Sequence, residues 1–229
     1  MAIKVELHAH TADDPEDRID HTAPELIEHA ARLGYGALAI TLHDRYTADP
    51  ALAHFASARG LTLLPAVERT IEGRHVLLVN FPAESGQVAG FESLRALKRA
   101  WPSGLVIAPH PFFPMGHSLG PALLNEHADL WDAVEVNAFH VPGIDFNRRA
   151  RRWASARGLP LVGNCDVHQL EQLGTTFSLV DVQGEATPDA ICAAIRAGRV
   201  SVQTRPLSYL MAARVAGRAM LSKFRPPSE

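Results

Sequence analysis

Short apolar or β-branched runs alternate with helix-patterned stretches along most of the chain, the pattern of strands joined by crossover helices. The first strand is expected over 3–7 and leads into a polar loop over 11–21. Thr22 then caps a helix that starts near Pro24 and stops at Gly34. Further strands are expected at 37–41, 61–68, 75–81, 104–110, 133–138, 160–166 and 177–182, with a strand-like stretch at 199–204. Helices are expected at 48–59, 92–100, 147–156 and 188–197, with a short helical turn at 126–131. No internal repeat, low-complexity linker or shift of composition divides this series, so one domain is the simpler reading. Seven βα-type units suggest a closed or nearly closed α/β barrel, whose strand C-termini would gather at one mouth. From 207 to 224 the apolar Leu207, Leu210, Met211, Val215, Met220 and Leu221 oppose Arg214, Arg218 and Lys223. That is an amphipathic helix, suited to packing on the barrel or against a second copy of the chain, which makes a homo-oligomer through this helix the candidate assembly. The closing 225–229 segment is expected to fray.

Composition narrows the function classes. In 229 residues, 22 basic groups face 25 acidic ones, for a net charge of -3. No global positive field exists to hold an extended nucleic acid or an anionic membrane. Two cysteines, Cys165 and Cys192, are too few for a disulfide framework and fit a reducing, cytoplasmic setting. The N-terminal MAIKVELHAH lacks an export signal, and no run of about eighteen apolar residues occurs, so no membrane span is expected.

Histidine changes the picture, because twelve are present and they are not scattered. His8 and His10 end the first expected strand, where alternate residues share a face and both imidazoles can reach one cation. His43 follows the second strand, Glu68 ends the third, His75 opens the fourth and His110 ends the fifth. Glu135 lies within the sixth, and Asp166 and His168 end the seventh. A barrel would bring these strand ends together, and clustered imidazoles and carboxylates are tolerable there when a cation binds them. His29, His54 and His127 lie on helical stretches and are expected at the surface, whereas His117 and His140 fall in loops that flank the mouth.

The motifs ELHAHT (6–11), AITLHD (39–44), PAVE (65–68), GRHVLL (73–78), IAPHP (107–111), VEVNA (134–138) and NCDVH (164–168) followed by LG resemble, in order, those of the PHP (polymerase and histidinol phosphatase) family. The resemblance spans about 3–205. It implies a domain over 1–205 folded as a distorted (β/α)7 TIM-like barrel, followed by the helix and tail of 206–229. It also implies two or three divalent transition metals (zinc, manganese or iron) and hydrolysis of phosphate esters. Carried over by residue, His8, His10, Glu68 and Asp166 would hold one metal, and Glu68 would bridge to a second held with His75 and His110. A third would use His43 and His168 with an early acidic group, for which Asp14 is chosen and Asp17 and His21 are alternates. Two departures stand out. The family's TDH is TLH here, leaving Asp44 after the histidine as an outer group, and its SDG-like loop is replaced by ADDPEDRIDH.

Two such metals would lower the pKa of a bridging water, making hydroxide the nucleophile. Glu68, Asp166, His168 and Arg45 are the expected catalytic groups, His168 as one source of the leaving-group proton. Arg45, Arg69 and Arg148 are the expected substrate contacts, through their planar forks. The favoured substrate is a small phosphomonoester or nucleotide phosphate. Alternatives are a phosphodiesterase or exonuclease-like activity on short oligonucleotides, and an inactive, metal-stabilised interaction protein.

Overall fold

A computed structural model describes residues 1–114 and 116–222, the last five of these by backbone alone. The expected fraying of 225–229, and the part of the C-terminal apolar stripe at Met220 and Leu221 with its facing Arg218 and Lys223, lie outside the described side chains. Among the described residues, no helix is long and apolar enough to cross a membrane.

Among the described residues, ten strands form two mixed five-stranded sheets rather than one closed barrel, which corrects the (β/α)7 expectation. The first sheet contains β1 (Ala2–Glu6), β2 (Tyr35–Ala39), β3 (Thr62–Leu64), β9 (Thr176–Asp181) and β10 (Val200–Thr204), in the order β10-β9-β1-β2-β3. The second contains β4 (Ala66–Ile71), β5 (Arg74–Val79), β6 (Leu105–Ala108), β7 (Ala133–Asn137) and β8 (Leu161–Asn164), in chain order. The single strand expected over 61–68 is two strands in different sheets, divided at Pro65, which has no N–H to give to a ladder. The segments after it are not crossover-linked: β4 and β5 form a hairpin in which Ile71 pairs with Arg74. Its two loop residues, Glu72 and Gly73, both have positive φ (51° and 76°), the backbone of a tight hairpin turn. β6 is also antiparallel to β5, and β9 runs antiparallel to both β1 and β10. Only β1-β2-β3 and β6-β7-β8 are parallel.

Apolar side chains alternate along the strands and meet between the sheets. Val5, Leu7, Ala39 and Leu64 from one side join Leu77, Val79, Leu105, Ile107 and Val162 from the other. Helix α6 (Pro188–Arg196), capped by Thr187, seals this layer with Ile191, Cys192 and Ile195. Helix α1 (Ala23–Arg32), with a Thr22/Glu25 capping box, and α2 (Pro50–Ser57) cover the outside of the first sheet. Helices α3 (Phe91–Ala100) and α4 (Gly120–Glu126), together with α5 (Asn147–Ser155), cover the second. His127 packs in that outer layer, buried and stacked on Phe91 with ring centroids 3.9 Å apart, rather than lying at the surface. Beyond β10 comes α7 (Tyr209–Ser222).

Two short seams draw the strand C-termini of the two sheets together without closing a barrel. After β1 the chain stays extended, so that Ala9 bridges Val167 beyond β8. On the other side His43 bridges Glu68. His8, His10, His43, Glu68, Asp166 and His168 lie at or beside these junctions.

Candidate metal centre

The extended run past β1 turns His8 and His10 to the same side, and neither side chain is exposed. Their Nε2 atoms lie 3.1 and 3.3 Å from Oε2 of Glu68, and Nε2 of His43 lies 3.3 Å from the same oxygen. The other oxygen, Oε1, faces His75 Nδ1 at 2.9 Å and His110 Nε2 at 3.4 Å. Asp166 Oδ1 is 3.3 Å from His8 Nε2, and 3.4 Å from both His10 Nε2 and His168 Nδ1. Six imidazoles thus converge on two carboxylates. Backbone strain accompanies two of these positions, since His110 (φ 28°) and Asp166 (φ 53°) both adopt positive φ without being glycine.

Behind this ring, a second set of polar groups fixes the imidazoles. Glu135 Oε1 lies 2.8 Å from His8 Nδ1, while its other oxygen accepts the His110 N–H at 2.7 Å. Asn164 and Asn137 donate to the same carboxylate at 3.0 and 3.3 Å, and Asn137 also donates to Asp166 at 3.2 Å. Asp14 lies 2.8 Å from His10 Nδ1 and 3.0 Å from His43 Nδ1. Carboxylates on the Nδ1 side leave Nε2 directed at the centre, the arrangement that orients histidine ligands at metal sites.

All nine expected ligands, His8, His10, Asp14, His43, Glu68, His75, His110, Asp166 and His168, recur in five overlapping groups. Within each, three donor atoms lie within 4.8 Å of one another. The groups overlap and share His8, His10, His43, Glu68 and Asp166. Asp14 groups with His10 and His43, not with His168, which groups with His10 and Asp166 and sits 3.0 Å from Asp17. His110 groups with His8 and Asp166, while Glu68 and His75 group with His43. His21, the other alternate, is turned away to donate from Nε2 to the His10 carbonyl at 2.9 Å. Asp44, expected as an outer group at His43, instead pairs with Arg69 at 2.6 Å.

The donor set fits divalent cations on an observation independent of spacing. Among the buried polar atoms with no hydrogen-bond partner are His10 Nε2, Glu68 Oε1, His75 Nε2 and His110 Nδ1. Such atoms cost about 1–3 kcal/mol each when left unmade, and the first two belong to groups that face the centre, where coordination would satisfy them. The protonation of the cluster points the same way. Burial works against charge on His8, yet Asp166, Glu68 and Glu135 outweigh it and hold its pKa well above the usual range. Burial likewise opposes charge on His10, but Asp14, Asp166 and Glu68 raise its pKa well above normal, and Glu68 raises that of His110 against the same penalty. Against their own burial, Glu68 is held well below the carboxylate range by His8 and His75, and Asp166 by His8 and His168.

The expected arginines are less gathered. Arg45 is exposed and donates to the Asp13 carbonyl at 3.0 Å, and Arg148 is exposed on α5. Arg69 is committed elsewhere, to the Val88 carbonyl through Nε and one terminal nitrogen and to Asp44 through the other. His117 does flank the mouth, stacking on His75 with centroids 4.6 Å apart. His140 instead bonds to Thr204 at 2.9 Å.

Sequence reasoning left Glu6 and Asn137 without a role. The fully buried Glu6 carboxyl accepts from the N–H groups of Cys165 (3.0 Å) and His8 (3.1 Å), bracing the seam, and burial pushes its pKa up to about 8. The signals were present as polar residues inside apolar strands, Glu6 in AIKVE and Asn137 in AVEVN.

Comparison with known proteins agrees with this picture. Residues 145–200 match the PHP-associated family. A two-domain Bacteroides vulgatus protein containing a predicted PHP-like metal-dependent phosphoesterase is similar over all of this chain and 73% of its own, at 18% identity and TM-score 0.70. The lesion-specific endonuclease EndoQ of Pyrococcus furiosus is similar over 88% of this chain and 58% of its own, at 19% identity and TM-score 0.64. An amidohydrolase from Chromobacterium violaceum with bound sulfate is similar over 86% of this chain and 97% of its own, at 17% identity and TM-score 0.57. Identities this low establish a common fold. No curated protein matches the chain. The family match is confined to residues 145–200, about a quarter of the chain, and the shared fold extends over the rest.

Proposed function

We propose that this chain is a PHP-family protein and a metal-dependent hydrolase of phosphate esters, acting on small phosphomonoesters or nucleotide phosphates. The observation that carries the reading is the convergence of six imidazoles on the buried carboxylates of Glu68 and Asp166. His8, His10, Glu68, His75, His110 and Asp166 are the proposed inner ligands. His43 and His168 extend the set, with Asp14 and Asp17 as their carboxylates. When bound, divalent zinc, manganese or iron supplies a lowered water pKa and neutralises phosphoryl oxygens. The protein's own groups do the rest. Glu135 and Asp14 hold the Nδ1 sides of the imidazoles, so that the site is organised before substrate arrives. His168, a quarter exposed at the cavity and paired with Asp17, is one proposed source of the leaving-group proton, water held at the site being the other. Arg45, exposed two residues beyond His43 and held by the Asp13 carbonyl, is the proposed phosphoryl contact. Arg69, clamped by Asp44 and Val88, is not.

A cavity of about 270 Å³ opens beside His110, Asp166 and His168 and suits a small substrate. The net charge of -3 also favours one over a polynucleotide. The test sets a phosphomonoester, a phosphodiester and an amide before the metal-loaded protein. The monoester is expected to be hydrolysed fastest, with E68Q and D166N each losing ~10³-fold in kcat/KM and part of the bound metal. R45A should raise KM or lower kcat with metal retained. Preference for the amide, or full activity in E68Q, would overturn the reading.

A further inference from the structure

The cavity beside the cluster is two-faced. Its polar side is formed by His110, Asp166 and His168 with Asp17, Asn137 and Gln172, which are engaged with one another and with the backbone, and its apolar side by Phe113, Phe139, Val215 and Ala216. The apolar side comes from three separate parts of the chain, each fixed to the site by its own contacts. Phe113 follows β6, donates its N–H to the His110 carbonyl at 3.1 Å and sets its ring edge-on to that imidazole, with centroids 6.4 Å apart. Phe139 follows β7, and its N–H is held at 2.8 Å by Asn137, the residue that also donates to Asp166. Val215 belongs to α7 and is buried although its neighbours Arg214 and Ala216 are exposed, so it is the position of that turn directed inward. The helix is moored on the loop that carries Phe139: the Leu207 N–H donates to the His140 carbonyl at 2.8 Å, and the Tyr209 hydroxyl to the Pro142 carbonyl at 2.9 Å.

We infer that α7 and the two phenylalanines form a leaving-group pocket, and that the substrate is a phosphate ester whose alcohol carries a single flat apolar ring. This rests on the phosphoesterase reading and specifies its substrate class. The polar side takes the phosphoryl group, while a polyol against Phe113, Phe139 and Val215 would give up hydration without recovering hydrogen bonds. A ring there instead removes apolar surface from water on both partners. The volume of about 270 Å³ is small for a ligand pocket and admits one ring beside the phosphoryl group. Of the two uses expected of the amphipathic C-terminal stretch, against the body of the protein or against a second copy, Val215 serves the first.

The probes are benzylphosphonate and propylphosphonate, which resist hydrolysis, titrated by calorimetry into the manganese-loaded full chain. The benzyl compound is expected to bind about tenfold more tightly. F139A, which removes a wall, and V215W, which fills the pocket, should each bring that ratio close to one, with metal content unchanged. A ratio near one in the native protein, or one that survives both substitutions, would overturn the pocket. Turnover of benzyl and propyl phosphate on the same samples separates the two levels of the argument, since their leaving alkoxides are of similar basicity. Hydrolysis of both without preference would remove the pocket and leave the phosphoesterase. A retained binding ratio without turnover would remove the phosphoesterase and leave the pocket. Binding of neither phosphonate would remove both.

Discussion

His10 shows what the cluster demands of a single residue. Its ring is buried, its Nδ1 is taken by Asp14 at 2.8 Å, and its Nε2 faces Glu68 and Asp166 at 3.3 and 3.4 Å. Without metal, burial opposes charge on His8, His10 and His110, but the carboxylates around them outweigh it and favour their protonated forms. A metal must displace those protons. Metal binding is therefore expected to release protons and to weaken as pH falls, measured as a calorimetric enthalpy that differs between buffers of different ionisation heat. Most of the imidazoles and carboxylates that gather at the centre were legible in the sequence because they sit where an apolar run ends, as in LHAH or IAPHP. Their partners were not, because the fold of the 11–21 loop decides whether Asp14 or Asp17 meets a given imidazole, and that fold depends on contacts such as the Ala12 N–H with the His21 carbonyl.

Among the elements, the parallel pattern misled at one place above all. LTLLPAVE has the composition of one buried strand, but Pro65 lets the chain leave one sheet and enter the other, and the Glu72–Gly73 turn then sends β5 back against β4. A two-residue turn with both φ values positive was the overlooked signal, for it makes adjacent antiparallel strands and leaves no room for a crossover helix. The helices were read more faithfully because their caps are written locally, with Thr22, Asp49 and Thr187 each accepting a backbone N–H at a helix start. Arg69 illustrates how an element can claim a residue that sequence assigns to substrate. It joins β4 to the Val88 carbonyl and to Asp44, which also accepts the Thr70 N–H. R69M is accordingly expected to cost about 1–3 kcal/mol in urea unfolding, by leaving part-buried acceptors unpaired, while metal content stays unchanged.

For the whole molecule, the centre lies where two sheets meet, so its charge balance bears on stability as well as chemistry. In the metal-free protein the raised histidine pKa values add stability that is fully present below about pH 6.5 and lost as pH rises through those values. The depressed pKa values of Glu68 and Asp166 add stability present above about pH 4.5 and lost as pH falls. Their joint contribution is largest between these limits. Metal-bound protein follows the opposite trend above that window, since cations replace the protons. The gap in Tm between metal-loaded and chelated protein is expected to widen from pH 6 to pH 8, reaching ~8 °C with metal in large excess over its Kd. A gap that narrows over that range would contradict the assigned protonation.

The most direct test is metal content per chain, by elemental mass spectrometry on protein purified without added metal or chelator. The account predicts about two to three transition-metal ions per chain, falling in E68Q and D166N. Less than one ion per chain, with no uptake from added manganese, zinc or iron, would contradict it, because the buried imidazoles and carboxylates would then be balancing one another rather than holding metal.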